Sequence, residues 1–109
     1  TGNGSADGPF VYTGFRPASV MMKAAVGATG SWMILDSTRS PSNPSQAQLR
    51  ADLTTGEVSN AAYDVDFLSN GFKPRYYYSN NNSSGVTYIY AAFAENPFGG
   101  ENQPPATAR

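Results

Sequence analysis

The chain contains no cysteine. That excludes a disulfide staple, a thiolate nucleophile and a zinc–cysteine site together. It contains no histidine, which removes the commonest general base near neutral pH and the commonest side-chain metal ligand. Charge of both signs is scarce. Seven Lys and Arg stand against eight Asp and Glu, for a net charge of −1. Nucleic-acid binding rests on neutralising phosphates, and anionic membranes attract polybasic segments; this balance suits neither. No run of about 18 apolar residues occurs, so no membrane insertion is expected. The opening TGNGSADG is polar and glycine-rich, without the pattern of a signal peptide. It starts on Thr1 and not on Met, which reads as one segment of a longer polypeptide.

What is present is aromatic. Phe, Trp and Tyr make up 13% of the chain, a third of its 39% apolar fraction. With 109 residues, one domain with a small, aromatic-rich core is expected.

Short segments of strand character follow one another, each bounded by turn residues. Phe10–Thr13 is aromatic and β-branched and stops at Gly14. Ser19–Ala24 sets Val20, Met22 and Ala24 against Met21 and Lys23. Gly27–Gly30 turns the chain, and Ser31–Asp36 reads as a strand apolar on both faces. A polar loop spans Ser37–Ser45. Gln46–Leu53 alternates strictly, with Ala47, Leu49, Ala51 and Leu53 expected inside, which favours a strand over a helix. Tyr63–Ser69 alternates again, with Tyr63, Val65 and Phe67 inward. Asn70-Gly71 is a type I′ hairpin signal, so Phe72–Tyr78 should return antiparallel. Ser79–Gly85 reads as an exposed loop and Val86–Ala94 as a central strand. About seven strands without a helical stripe predict an all-β fold, an antiparallel β-sandwich or barrel. The boundaries are a linker over residues 1–8, the sandwich over 9–98 and an extended tail over 99–109.

The phrase Gly14-Phe15-Arg16-Pro17 returns as Gly71-Phe72-Lys73-Pro74. The flanks do not match, so local geometry is a better explanation than duplication. Glycine supplies a positive φ, the Phe fills core at the turn, and Pro ends or staggers the pairing.

Candidate chemistry is thin. Asp64 and Asp66 share a face and could serve a small glycan hydrolase or bind calcium; a solvated face explains them more simply. Asp36 and Arg39 fit an Asx-type corner with an ion pair. Serine hydrolysis lacks its histidine, a Ser–Lys pair with Lys23 or Lys73 has no motif, and no P-loop, dinucleotide fingerprint or EF-hand loop occurs. No catalytic residue, metal ligand or cofactor is therefore assigned, and an enzyme is not expected. Tyr76, Tyr77 and Tyr78 followed by Asn80, Asn81 and Asn82 would suit a sugar, with rings stacking on C–H faces and amides bonding hydroxyls. Core tyrosines are the plainer account. Asn3-Gly4-Ser5 and Asn82-Ser83-Ser84 match the glycosylation sequon.

Taken in order, the phrases form a set. Gly14, Phe15, Pro17, Val20 and Lys23 fill a GF-x-P-x-x-V-x-x-K pattern. Trp32, Asp36 and Arg39 fill a second, Phe67, Gly71 and Phe72 a third, and Gly85, Tyr88, Tyr90, Ala92–Glu95, Pro97 and Phe98 the last. The set resembles a recurrent domain of tail, tail-fibre and tail-spike proteins of tailed bacteriophages. That resemblance implies a lectin-like or SPRY-like β-sandwich on the virion, extracellular in the mature particle, with no catalytic signature carried over. The implied role is host-surface attachment or assembly of the adsorption apparatus; the alternative is a purely structural decoration or connector. Expected partners are a bacterial surface glycan or protein and other virion subunits, with a homotrimer if the parent is a fibre. The expected contact residues are Tyr76–Tyr78, Asn80–Asn82, Arg39 and Asn43, on and beside the two long loops.

Overall fold

The computed structural model describes residues 1–102 and Pro105. Among these residues eight strands form two antiparallel sheets. They are β1 (Val11–Tyr12), β2 (Pro17–Val26), β3 (Met33–Asp36), β4 (Ala47–Arg50), β5 (Val58–Ser59), β6 (Val65–Leu68), β7 (Gly71–Pro74) and β8 (Thr87–Ala94). One sheet has the order β1-β7-β6 and the other β5-β4-β3-β2-β8. A 3₁₀ turn, Ala61–Tyr63, precedes β6, capped by the Asn60 side chain, which accepts from Ala62 N–H at 2.8 Å.

The core lies between the sheets. Val20, Met22, Met33 and Leu35 from the larger sheet meet Tyr63, Val65, Phe67 and Phe72 from the smaller side. The fold is thus the all-β sandwich expected from the alternation. On β6 the expected inward residues Val65 and Phe67 are buried, with Asp66 and Leu68 half-exposed between them.

Several local expectations need correction. The hairpin joining β6 to β7 pairs Leu68 with Gly71, so its loop is Ser69-Asn70. The expected type I′ turn at Asn70-Gly71 is absent, because neither residue has a positive φ. Gly71 is required for space instead. A Cβ there would sit 2.1 Å from the Val11 carbonyl oxygen, which no side chain can do. Its counterpart Gly14 does use the left-handed region, at φ 81°. The two similar phrases therefore do different work: one turns into β2, and the other is strand β7 itself.

β4 ends at Arg50, and Leu53 is exposed. Ala47 is buried as expected, but the side of β4 that meets the core is otherwise not the expected one. Met33 pairs with Arg50 and Ile34 with Leu49, so Gln48 and Arg50 face the core with Met33. Gln48 is fully buried, with both amide atoms unpartnered, while an Arg50 Nη donates to the Tyr63 hydroxyl at 3.0 Å. β8 is a sheet edge and not a central strand: among the described residues it pairs with β2 alone. β7 stops at Pro74, so the tyrosines after it are not in a strand.

The first eight residues are docked rather than loose. Gly2 N–H donates to the Val86 carbonyl and Gly85 N–H to that of Gly2, while Gly8 N–H reaches the Pro74 carbonyl. Of the expected tail, Gln103, Pro104 and residues 106–109 lie outside the described residues.

Candidate functional site

The asparagine run is interior. Asn80, Asn81 and Asn82 are 5%, 3% and 0% exposed, so the expected exposed amide loop is corrected. Asn82 clamps the start of the chain. Its Oδ1 accepts from Asn3 N–H at 3.0 Å, and its Nδ2 donates to Asn3 Oδ1 at 2.9 Å and to the Ser5 carbonyl at 2.8 Å. That burial also leaves the Asn82 sequon unusable in the folded chain, whereas Asn3 is exposed. Asn80 packs over Gly30, where a Cβ would come within 2.5 Å of its Oδ1. The polar side chains here satisfy backbone groups that would otherwise be orphaned.

Arg39 and Asn43 are likewise committed to the fold. Arg39 Nε pairs with Asp36 Oδ2 at 2.5 Å, and its two Nη atoms reach Glu57 Oε2 and the Ile34 carbonyl. Asp36 Oδ1 accepts from the N–H groups of Thr38 and Arg39, the Asx-type corner expected. Burial alone would raise the Asp36 carboxyl. The bonds from the Arg39 backbone and side chain and from Thr38 outweigh it and hold the carboxyl below its ordinary range. Asn43 bonds both ways with the Phe67 backbone, at 2.8 and 2.9 Å, and so ties the 37–45 loop to β6.

Asp64 and Asp66 do not form a catalytic pair of equals. Asp66 faces Arg75 at 3.5 Å. Asp64 is pushed up, first by burial, with a favourable contact from Gln46 opposing it and the Asp66 charge adding to it. Among the described residues no group of three or more potential ligands could hold a metal ion.

The tyrosines divide. Tyr76 and Tyr77 stack on each other, with centroids 4.5 Å apart and planes 15° apart. Tyr77 is 55% exposed. A hydrogen bond with the Tyr77 phenol, then its charge, pushes the Tyr76 phenol up. Tyr78 instead packs edge-on against Tyr63 at 5.5 Å.

A site that the strand reading concealed lies where the edge strands β1 and β8 face each other. There the sandwich leaves a cleft of about 150 Å³. Phe72, Tyr88, Tyr90, Met22 and Val11 line it, with Asn81 on its wall and Thr1-Gly2 beside it. Tyr90 meets Phe72 edge-on at 5.2 Å. Tyr88 is fixed by its hydroxyl, which donates to the Ser79 carbonyl at 2.7 Å and accepts from Ser83 N–H at 2.9 Å. Asn81 Nδ2 donates to the Ala62 carbonyl, while its buried Oδ1 has no protein partner. A buried acceptor without a partner is uncommon and costs about 1–3 kcal/mol.

A family model matches residues 1–97, under the description "Domain of unknown function (DUF7483)". The chain belongs to that family. The matched span includes all eight strands and every residue of the cleft. No curated protein and no solved structure matches the chain. Among the described residues, no helix is long and apolar enough to cross a membrane.

Proposed function

We propose that this domain is a binding module without catalysis, serving a bacteriophage tail or fibre in host-surface attachment, and that its ligand is a sugar unit of a bacterial surface glycan. The cleft carries the reading. An apolar cavity of 150 Å³ holds one benzene-sized ring, so the space suits a single pyranose unit and not a long oligosaccharide. Tyr90, 45% exposed and braced edge-on against the buried Phe72, offers an aromatic ring to its C–H groups. Tyr77, exposed and stacked on the half-buried Tyr76, is a second place for a sugar to stack. The resemblance of the ordered phrases to virion tail domains is what suggests the setting.

The structural alternative, a connector or decoration subunit without a ligand, is favoured by one observation: the uncovered apolar side chains of β8. A glycan array and a host-cell pull-down separate the two. Tyr90→Ala should weaken glycan binding about tenfold, equivalent to about 1.4 kcal/mol, with the melting curve checked in parallel. Tyr77→Ala should weaken it less. No binding to any glycan or host cell by a folded sample refutes the attachment reading.

A further inference from the structure

β8 has the composition of an interior strand and the position of an edge. Its eight residues TYIYAAFA include no charge and no proline. Natural sheet edges are blunted with charges, prolines, bulges or short length. Here Ile89, Tyr90 and Phe93 remain 49%, 45% and 60% exposed. Register places Ala91 and Ile89 beside Met21 and Lys23, and Met21 in turn beside Ile34. The outer face of the sheet is therefore mostly apolar across successive strands, interrupted by Lys23, and carries no covering layer among the described residues.

We propose that β8 pairs antiparallel with β8 of a second copy of this chain, about a two-fold axis at Ala91, joining the two five-stranded sheets into one. The strand is self-complementary in that register. Ala91 meets Ala91, Ile89 meets the second copy's Phe93, and Tyr90 meets its Ala92. Aromatic and β-branched side chains opposed across an antiparallel pair are favourable, and a large residue against a small one avoids a clash at Tyr90. Charge agrees. Nothing charged lies on β8 itself; Glu95, just past it, is already bonded to Arg16 at 3.1 Å and would face Thr87, and Lys23 lies one strand further in, beside Ile89. A net charge of −1 per copy offers little repulsion.

The area is modest. Phe and Tyr side chains bury about 150–250 Å² each when fully covered. The exposed parts of Phe93, Tyr90 and Ile89, with the strand edge, sum to about 400–500 Å² per copy on that scale. That is about half of the roughly 800 Å² per partner of a standard interface. The dimer is accordingly weak and concentration-dependent in the isolated chain. Tyr90 lines the cleft at this same edge, so pairing sets two clefts side by side, and a weak sugar contact gains from two-point attachment.

The cysteine-free sequence provides the test. In this register Ala91 opposes itself at a Cα separation of about 4.5–5.5 Å, inside the range a disulfide spans. Under mild oxidation the Ala91→Cys chain should run mainly as a covalent dimer. Thr87→Cys should not, because its two copies would lie about 27 Å apart along the strand. In sedimentation velocity Ala91→Lys should weaken association at least tenfold, and mixing Ala91→Lys with Ala91→Glu should restore it. A chain that stays monomeric at every concentration overturns the proposal, as does equal cross-linking at positions 87 and 91. So does a different chain seated on β8 in the intact particle. Ala91 lies on the outer face, away from the cleft, so glycan binding by monomeric Ala91→Lys is a separate readout.

Discussion

Replacing Asn82 with Ala decides whether the asparagine run holds the fold or a ligand. The substitution removes three side-chain hydrogen bonds, to Asn3 N–H, Asn3 Oδ1 and the Ser5 carbonyl. Each is worth about 1 kcal/mol net. The partners on residues 3–5 lie near the surface and regain water once the clamp opens, so the loss should fall below that sum, at about 2 kcal/mol. For a chain of this length that lowers the melting temperature by about 10 °C. Thermal and urea unfolding followed by circular dichroism give the number. Hydrogen exchange adds the location: residues 2–8 should lose protection first, and β3 should keep it. Asn82→Asp tests the chemistry further. It keeps the acceptor for Asn3 N–H but sets a carboxylate against two oxygens in a buried place. It should be at least as destabilising near neutrality and recover in acid as the carboxyl takes up a proton. A loss under about 0.5 kcal/mol for Asn82→Ala, the scale of an ordinary surface substitution, would refute the clamp and return Asn82 to the ligand candidates.

Four further outcomes follow from named contacts. Asp36 is held below its ordinary range, so its contribution is present above that range and is lost as pH falls through the folded-state value; Asp36→Asn should cost about 1–2 kcal/mol near pH 7 and progressively less as the pH falls through that folded-state value. Asp64 is pushed up, so its charged form is a penalty above its folded-state value and none below the ordinary range. Asp64→Asn should stabilise near pH 7 and be neutral in acid, and melting curves across pH should show the two variants diverging in opposite directions. Gly71→Ala would force a Cβ to 2.1 Å from the Val11 carbonyl, so it should part β1 from β7 and cost about 2 kcal/mol or more by urea unfolding. Gln48→Met exchanges a buried amide, unpartnered at both atoms, for an apolar side chain of similar length; it should be neutral or stabilising by up to about 1 kcal/mol, and a clear loss in the melt would show the amide to be satisfied.

The alternation Tyr63, Val65, Phe67 was legible because one face of β6 is buried and the other is not. The same rule misled at β4 and β8 for a single reason. The outer face of the larger sheet is itself apolar, with Met21, Ile34, Leu49 and Ile89 on it, so hydrophobic period no longer tells inside from outside. At β4 the register then placed Gln48 inward, and at β8 an apolar composition was read as central position. The asparagines were misread because composition reports polarity and not partners. Asn82 meets Asn3 across 79 positions of sequence, and nothing local to SNNNSSG announces that. The corner of Asp36 and Arg39 was readable because both its parts lie within four residues. The cleft was not, since β1, β2, β7 and β8 each bring one part of its wall.

The clamp at Asn82 also orders events in time. Gly2, Asn3 and Gly4 have no long-range hydrogen-bonded place until the segment around Asn82–Val86 has been made, and β2 cannot complete its pairing until β8 exists. During synthesis at about 5–20 residues per second, the first glycines must therefore wait several seconds, solvated and unengaged. Contacts this distant in sequence slow folding, and the domain closes as a unit only when its last strand has left the ribosome.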